Sequence, residues 1–277
     1  MSDRLDLDGI RKHWEDLAET YGTDFRATTK TSTAKEIELH ALEETIKSLP
    51  LNLDLQLSIL EAGCGNGLNL FWLQEKFPHF RLLGFDYIPN MIKAANSMQT
   101  RLGIPNNSIS FQIASFDDFN IPTESVDIAF TVRAIINLNT DELQQHAISR
   151  LAKTLRVGGY LLLLENSFTA HRNQNSLREK MGLPVRSQAE YNHFIDEEIF
   201  EKKLLGSGLK LLEIRDFIGL HDILLYVLLP MINGGKIEYQ DDLVRAATQL
   251  TKALSLDEMS DVGKFGQNRL FICSKIE

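Results

Sequence analysis

Three glycines at alternate positions, Gly63, Gly65 and Gly67, follow an apolar run in the stretch ILEAGCGNGLNLF. Glycine tolerates positive φ and lets another group approach the backbone closely, so a turn with this spacing is suited to binding a ligand. Glu61 precedes the glycines, and Asp86 follows Gly67 by nineteen residues, near the spacing at which an acid accepts hydrogen bonds from a ribose. The pattern predicts a site for a nucleoside-type ligand.

Each part of this pattern also has a purely structural explanation. Glycines here suit a tight turn with positive φ, and Asp86 suits the cap of a helix in DYIPN, where Pro89 fits the first turn. Capping and ribose binding can coexist. The dinucleotide fingerprint GxGxxG would need its third glycine at Leu68, so this pattern departs from that of dinucleotide-binding proteins.

Short apolar runs alternate with helical patterns along the chain, which is typical of a parallel sheet covered by helices on both faces. The glycine turn then lies beyond the carboxyl end of the first strand, where open α/β sheets bind ligands. Strands are predicted over residues 57–61, 81–85, 109–113, 126–131 and 160–165.

Helix signals surround these strands. The stretch TAKE predicts an N-cap at Thr33 with Glu36 as its capping-box partner, and NTDELQQ predicts another helix that begins near Thr140. The stretch GLHDILLYVLLPMIN predicts a helix with a broad apolar surface, which would pack over the site or into a dimer partner. Its apolar stripe comprises Leu220, Ile223, Leu224, Val227, Leu228 and Met231, widened by Leu225 and Leu229.

Composition disfavours several classes of protein. The chain has 277 residues, 43% of them hydrophobic, which is enough for one sizeable core. A net charge of -9 disfavours a nucleic-acid surface, and no apolar run approaches the roughly 20 residues that span a bilayer. Cys64 and Cys273 lie far apart and no ligand-spaced cluster occurs, so neither a disulfide nor a metal is predicted. Because MSDRLDLDGI lacks a signal-peptide core, we expect a cytoplasmic protein without a nucleic-acid or membrane partner.

The segments EAGCGNG, GFDYIPNMIKAA, FQIASFDDFNI, VDIAFTVRAIINL and LRVGGYLLLLEN together resemble the class I S-adenosylmethionine-dependent methyltransferase family. The resemblance covers residues 57–165 and, more loosely, LKLLEIRDF and RLFICSK. It implies an α/β, Rossmann-like fold with a seven-stranded, mostly parallel sheet whose last strand, RLFICSK, runs antiparallel between its neighbours. Helices would cover both faces, and helical insertions would form lids. The cofactor would be S-adenosyl-L-methionine and the product S-adenosyl-L-homocysteine.

The resemblance assigns roles to the glycine turn and the next two strand ends. The glycine loop would cradle the methionine part of the cofactor, the acid that ends strand two would bind both ribose hydroxyls, and the pair after strand three would bracket adenine. The matching positions are Glu61, Ala62, Gly63, Gly65 and Gly67 for the loop, Asp86 for the acid, and Ser115 with Phe116 for the pair.

Adenine recognition departs from the family in one position. The family often has Asp where Ser115 stands, so adenine N6 could be held by Ser115, by Asp117 or by backbone alone. Tyr87 and Met91 would supply apolar faces beside adenine and ribose, with core packing as the alternative.

Segments outside the common sheet are expected to shape the acceptor site. In related enzymes an N-terminal segment folds over the cofactor, which would bring Tyr21 and Arg26 to its amino-acid end, with Arg26 pairing the carboxylate. The alternative for Arg26 is a solvated side chain on a mobile arm. We divide the chain into an N-terminal helical lid, 1–50, and a methyltransferase domain, 51–277, with cap-forming insertions at 166–193 and 217–268.

After strand four, TVRAIINL lacks the proline-rich tetrapeptide of enzymes that methylate amines of DNA and some proteins. The resemblance therefore favours methyl transfer to oxygen of a small-molecule acceptor, with Thr131 and Arg133 touching cofactor and acceptor. A surface salt bridge is the alternative for Arg133. A hydroxyl acceptor would need a base, for which His221 is the first candidate, with Glu165 and His171 as rivals. A carboxylate would need only orientation by Arg133 or another cation.

Two further functions stay open from the sequence. One is methylation of a protein or saccharide end group, and the second is a non-catalytic S-adenosylmethionine-binding module that acts through its helical insertion. A homodimer is compatible with the broad apolar stripe. The segments that would select the acceptor carry no recognisable motif, so its identity is left open.

Overall fold

A seven-stranded β-sheet forms the centre of the computed structural model, which describes residues 4–255, 257–258 and 264–276. The strands are β1 Ser58–Ala62, β2 Arg81–Asp86, β3 Ile109–Ile113, β4 Val126–Val132, β5 Leu155–Asn166, β6 Leu209–Arg215 and β7 Asn268–Lys275. Their order across the sheet is β3-β2-β1-β4-β5-β7-β6. The strand β7 runs antiparallel to β5 and β6, whereas the other neighbours are parallel. The expected fold class is confirmed.

Helices lie before and between the strands. The α-helices are α1 Leu7–Tyr21, α2 Ser32–Ser48, α3 Leu68–Lys76, α4 Pro89–Leu102, α5 Asp141–Thr154, α6 Phe168–Lys180, α7 Glu197–Gly206, α8 Gly219–Ile223, α9 Leu229–Ile232 and α10 Asp242–Ala253. Short 3₁₀ turns occur at Phe25–Ala27 and Ile135–Asn137, and a π-helical turn at Leu224–Leu228. Within the described residues, we find no helix with the length and apolar character needed to cross a membrane.

The core lies on both faces of the sheet because alternate strand residues point to opposite sides. On one face, Ile128 and Leu162 pack with Leu42 of α2 and helix α3. On the other face, Leu161 and Leu163 pack with helices α5 and α7. Residues 159–166 of β5 are all buried, as expected of a strand covered on both sides.

One N-cap and one further helix start were predicted, and the structure bears out the helix start. The Thr140 side chain accepts a hydrogen bond from the Leu143 N–H (3.2 Å) and begins α5 as predicted. The cap of α2 is Thr31, whose hydroxyl accepts from the Thr33 N–H (3.2 Å), so the prediction of Thr33 as the cap is wrong. Glu36 pairs instead with Lys252 of α10.

Helix α2 is part of the main core. Ile37, Leu42 and Ile46 are almost completely buried in the cluster that covers one face of the sheet. The division that we drew at residue 50 therefore does not coincide with a boundary in packing. The assignment of the N-terminal segment as a lid stays a prediction.

The apolar segment 219–232 is helical throughout but irregular, because a π-helical turn separates α8 from α9. Leu225 and Leu229 are buried against Val244 of α10. Leu228 and Met231 are about half exposed, at 43% and 46%. The homodimer stays a prediction.

The segment after α1 is fastened to the glycine loop through one buried side chain. Asn66 Nδ2 donates to the carbonyl oxygens of Gly22 (3.0 Å) and Asp24 (2.9 Å). Unpaired buried carbonyl groups are costly, so these bonds fix the N-terminal segment over the sheet edge. Helix α1 also contacts a second segment: Trp14 packs edge-on against Tyr191, which belongs to the long connection between α6 and α7.

Asn66→Ala should loosen the N-terminal segment and lower the free energy of unfolding by about 1 to 3 kcal/mol, because two carbonyl oxygens lose their donor. Urea unfolding measures the stability, and hydrogen exchange of residues 22–31 measures the loosening. The matched control is Asn52→Ala, since Asn52 accepts only one exposed backbone N–H, from Asp54. Equal stability and equal exchange in the two variants would contradict this role of Asn66.

Candidate active site

A cavity of about 290 Å³ opens at the carboxyl ends of β1, β2 and β4. The connections from β1 and β4 leave these neighbouring strands towards opposite faces, which creates the crevice where open α/β sheets bind ligands. Helix α1 closes the cavity from above. Its walls include the glycine loop and the β2 end through Gly63, Gly65 and Asp86, the β3 end through Ser115 and Phe116, and α1 through Ile10, Arg11 and Trp14.

The glycines of the loop are required by the chain's own packing. Gly63 and Gly65 have φ of 70° and 51°, values that side-chain-bearing residues rarely adopt. A Cβ atom on Gly63 would lie 2.5 Å from the Ala134 Cβ, and one on Gly65 would lie 2.7 Å from the Thr28 Cγ2. The structural explanation of the glycines therefore holds. Because the glycines have no side chains, the loop packs against both the β4 end and the N-terminal segment.

Asp86 fixes the loop from the end of β2. Its Oδ2 accepts from the Gly65 N–H (2.8 Å) and its Oδ1 from the Ile88 N–H (2.9 Å), at the start of α4. The carboxylate also faces the cavity. Burial raises its pKa to about 6, although these backbone donors oppose the shift. The capping role is thus present, and ribose binding is compatible with it.

A chain of buried polar groups lies behind the glycine loop. Asn69 Nδ2 donates to Glu61 Oε1 (2.5 Å), and Lys35 Nζ donates to Asn69 Oδ1 (3.2 Å). Lys35 and Asn69 line the cavity, whereas Glu61 lies behind them. Glu61 Oε2 has no hydrogen-bond partner among the described residues, and burial raises the pKa of Glu61 to about 8. A cationic group bound near this wall would favour the ionised form of Glu61.

The β3 end leaves the three options for adenine recognition open. Ser115 lines the cavity, but its hydroxyl donates to Asp118 Oδ1 (2.9 Å) and accepts from the Asp117 N–H (3.1 Å). Asp117 also lines the cavity, and its carboxylate lies 3.3 Å from His146. Tyr87 and Met91 pack in one cluster with Ile88 and helix α1, so they are core residues that also line the cavity.

A second cavity, of about 670 Å³, adjoins the first. Trp14, Thr28 and Arg133 line both cavities, so the two meet at these residues. The second cavity is walled by α1, by the start of α2, by residues 186–194 and by the segment that contains the π-helical turn. Its aromatic lining consists of His13, Trp14, Tyr21, Tyr191, Phe194, Tyr226 and Tyr239.

Arg133 is held at the meeting point by a buried carboxylate. Its Nε lies 2.8 Å from Glu38 Oε1, and its Nη2 donates to Glu38 Oε2 (3.2 Å). Glu38 is also 2.9 Å from Lys35 Nζ and accepts from Asn268 Nδ2 (2.8 Å). Arg133 has a φ of 54°, a left-handed conformation that is unusual for arginine, and its N–H donates to the Leu164 carbonyl (2.8 Å). The salt bridge is partly buried, since Glu38 is 3% and Arg133 23% exposed, and it differs in this from the surface salt bridge given as the alternative.

The structure separates the predicted site residues into three groups. Gly63, Gly65, Asp86, Tyr87, Met91, Ser115, Phe116 and Arg133 line the first cavity. Tyr21, Arg26 and again Arg133 line the second cavity. Glu61, Ala62, Gly67, Thr131, Glu165 and His221 are not among the residues that line either cavity.

Arg26 lies away from the expected cofactor contact. Its guanidinium pairs with Asp24 through Nε (2.9 Å) and Nη2 (3.1 Å) and lies over the Tyr21 ring. The cations that line the first cavity are Arg11, Lys35 and Arg133. Sequence reasoning missed Lys35 and Glu38, although a signal exists: both lie on the same helical face as the apolar stripe of Leu39, Leu42 and Ile46, where charged residues are rarely buried without a partner.

The residues proposed as bases are buried in structural networks. Glu165 accepts from the Thr131 hydroxyl (2.6 Å) and from the backbone N–H groups of residues 134–136. Burial raises its pKa to about 7. His221 is 1% exposed, with Nδ1 3.1 Å from Asp222 and Nε2 3.3 Å from Thr33. Catalytic roles for Glu165 and His221 stay predictions that these placements do not favour.

Comparison with known proteins agrees with this geometry. The methyltransferase domain family matches residues 59–159. Phosphoethanolamine N-methyltransferase 1 of Zea mays is 27% identical over 169 residues, which cover 60% of this chain and 32% of that protein. The chain spans about a third of the length of the curated relatives that it matches. The glycine loop, Asp86 and Arg133 lie within the family match, whereas much of the second cavity lies outside it.

Two solved structures show the same fold over nearly the whole chain. The (4+2) cyclase SpnF has a TM-score of 0.62 at 13% identity and covers 99% of this chain and 98% of its own. Geranyl diphosphate C-methyltransferase from Streptomyces coelicolor, solved with Mg²⁺, geranyl diphosphate and S-adenosyl-L-homocysteine, has a TM-score of 0.58 at 14% identity, with 98% of both chains covered. Residues 59–159 are therefore a methyltransferase domain, within a fold of the class I S-adenosylmethionine-dependent type.

The first cavity fits S-adenosylmethionine, the cofactor of this class. Asp86 faces the cavity with a carboxylate that can accept hydrogen bonds from ribose hydroxyls. Lys35 presents a buried ammonium group to a carboxylate, and the unpartnered oxygen of Glu61 lies behind the wall for an ammonium group. The ribose and the amino-acid carboxylate thus each have a group of suitable charge on the cavity wall.

Asp86→Asn should weaken the binding of S-adenosylhomocysteine by about 10- to 100-fold, because charge-assisted hydrogen bonds to the ribose are lost. In the parent protein the affinity should also fall as the pH drops through about 6, where Asp86 gains a proton. Asp86→Asn should lack that dependence. Isothermal titration calorimetry between about pH 5 and about pH 8 measures both effects.

The matched control is Asp54→Asn, which changes an exposed carboxylate in the loop before β1. It should bind S-adenosylhomocysteine with the parent affinity at each pH. Parent-like affinity in Asp86→Asn would mean that Asp86 serves only to hold the glycine loop and to cap α4.

Proposed function

We propose that this chain transfers the methyl group of S-adenosylmethionine to an oxygen atom of a small-molecule acceptor bound in the second cavity. The observation that carries the proposal is the meeting of the two cavities at Trp14, Thr28 and Arg133. A donor in the first cavity and an acceptor in the second would face each other there. The cofactor supplies a methyl group that its positive sulfur has already activated towards in-line displacement.

The contribution of the protein is positioning and the exclusion of water. Holding two reactants in a near-attack geometry removes much of the entropic cost of a bimolecular step. Arg133 is fixed by its bidentate contact with Glu38 and by its backbone bond to β5. Aromatic side chains of α1 and of residues 186–194 line the second cavity, and such walls would keep solvent from competing with the acceptor.

An acceptor oxygen that is already anionic agrees best with this arrangement. Glu165 and His221 lie outside both cavities, and burial together with nearby Arg186 lowers the pKa of His171 to about 4, which makes it a weak base. A carboxylate needs orientation by a cation and no base. Of the hydroxyl and carboxylate acceptors that the sequence allows, the carboxylate is thus the one that we favour.

A nitrogen acceptor is the second candidate. The Zea mays relative is named for N-methylation of phosphoethanolamine. An amine that reaches the meeting point unprotonated would also need no buried base. One labelling experiment distinguishes the two small-molecule candidates from methylation of a macromolecule and from a non-catalytic binding module.

Incubation with S-adenosylmethionine labelled on its methyl group and with cell extract from the source organism should transfer label to the small-molecule fraction. Label released as methanol by mild alkali identifies a carboxylate ester, whereas alkali-stable label identifies an ether or an amine. Arg133→Gln should reduce the rate by about 100-fold, the scale expected when positioning is lost. Liquid scintillation counting of size-separated fractions measures the transfer.

Arg156→Gln is the matched control, because Arg156 is a half-exposed arginine paired with Asp127 away from both cavities. It should transfer label at the parent rate. Label found only in macromolecules would replace the proposal by a protein or saccharide acceptor. Cofactor binding without any transfer would leave a binding module.

A further inference from the structure

Arg186 is held in one position on the wall of the second cavity, in the connection between α6 and α7. Its backbone is clamped by Asn175, whose Oδ1 accepts from the Arg186 N–H (2.9 Å) and whose Nδ2 donates to the Arg186 carbonyl (2.9 Å). The guanidinium carbon lies 3.5 Å from the centre of the Tyr226 ring. Nη1 donates to the side-chain carbonyl oxygens of Gln174 and Gln267.

The partners that position Arg186 are neutral. Among residues 4–255, 257–258 and 264–276, no carboxylate oxygen lies within salt-bridge distance of its guanidinium, whereas Arg26 and Arg133 in the same cavity are paired with Asp24 and Glu38. The uncompensated charge of Arg186 lowers the pKa of a nearby arginine. Burial is the largest cause that lowers the pKa of Arg178, and the charge of Arg186 is the second. A preorganised arginine with neutral partners is suited to binding an anion.

The charge balance of the cavity points in the same direction. The chain carries a net charge of -9. Among the residues that the structure describes, however, four cationic side chains, Arg26, Lys30, Arg133 and Arg186, line this cavity with two carboxylates, Glu38 and Asp222. Low-dielectric walls focus such a field and attract anions. Asp222 is occupied, since its Oδ2 accepts from the Gln267 N–H (2.8 Å).

The π-helical turn contributes to the same wall. It presents Tyr226 to the cavity beneath Arg186, and π-helical turns often occur at functional sites. Burial raises the pKa of Tyr226 above its ordinary range, although Arg186 opposes the shift, so its hydroxyl remains a neutral donor. Tyr239 and Tyr191 add further aromatic surface. The subsite thus combines a fixed cation with apolar walls.

Arg186 is connected to the meeting point of the two cavities through consecutive residues. Gln267 contacts Arg186 (3.2 Å), and the next residue, Asn268, donates to Glu38, which holds Arg133. Adjacent Cα atoms are about 3.8 Å apart. Both arginines line the second cavity, and this path of hydrogen-bonded side chains connects them along its wall.

We propose that Arg186 binds a carboxylate or phosphate group of the acceptor that is remote from the methylated atom. The acceptor is then an apolar or aromatic molecule with an anionic end at Arg186 and its reacting atom at Arg133. This inference rests on the proposed function. Binding energy from the remote anion would hold the reacting atom in place.

The test is NMR titration of the S-adenosylhomocysteine complex with phenylacetate, phenyl phosphate and uncharged phenylacetamide. The parent protein should bind at least one anion about tenfold more tightly than the amide, because a charge-assisted fork is available only to the anions. The tighter anion identifies carboxylate or phosphate as the preferred group. Arg186→Gln should weaken anion binding by about tenfold or more and leave amide binding unchanged.

Arg172→Gln is the matched control, since Arg172 is an exposed arginine on α6 paired with Glu198, and it should match the parent protein. Arg186→Lys, which keeps the charge without the fork, supplies a second variant if Arg186→Gln does not fold. Equal affinity for anions and amide, no anion binding, or parent-like anion binding in Arg186→Gln would each overturn the proposal. Titration of S-adenosylhomocysteine alone tests the proposed function separately. Repeating the anion titrations without S-adenosylhomocysteine makes the test of Arg186 independent of that outcome.

Discussion

A buried carboxylate on α2, Glu38, holds the walls of both cavities together. Its oxygens contact Arg133 after β4, Lys35 on its own helix and Asn268 at the start of β7. Burial alone would raise its pKa, but Arg133 and Lys35 hold the pKa of Glu38 below its ordinary value, so it stays charged. Removing one member of a buried ion pair typically costs about 3 to 5 kcal/mol. The cluster therefore fixes Lys35 on the cofactor side and Arg133 at the meeting point.

The carboxyl groups around the cofactor cavity favour ligand binding at some cost in stability. The pKa is raised to about 6 for Asp86 and to about 8 for Glu61, mainly by burial. A group whose pKa is higher in the folded state stabilises the fold most when protonated, and this contribution is lost as the pH rises through the raised value. At neutral pH Asp86 is thus ionised in a buried position, which a set of ribose hydroxyl donors would relieve.

Sequence reasoning predicted the parts of the site that depend on local pattern. The strands, the glycine loop and the acid at the end of β2 follow from short-range periodicity and from φ requirements, and they lie where expected. Lys35, Glu38 and Arg186 were missed because their partners are distant in sequence: Glu38 contacts Arg133 and Asn268, which only the sheet brings together. The local pattern places Lys35 and Glu38 on the apolar face of α2, but the partners that they meet there depend on tertiary packing.

The most direct measurement is a crystal structure of the protein with S-adenosylhomocysteine. The account predicts that the ribose hydroxyls contact Asp86, that the amino-acid carboxylate contacts Lys35, and that the sulfur faces the opening between Trp14, Thr28 and Arg133. A ligand bound elsewhere, or bound with its sulfur turned away from the second cavity, would contradict the account.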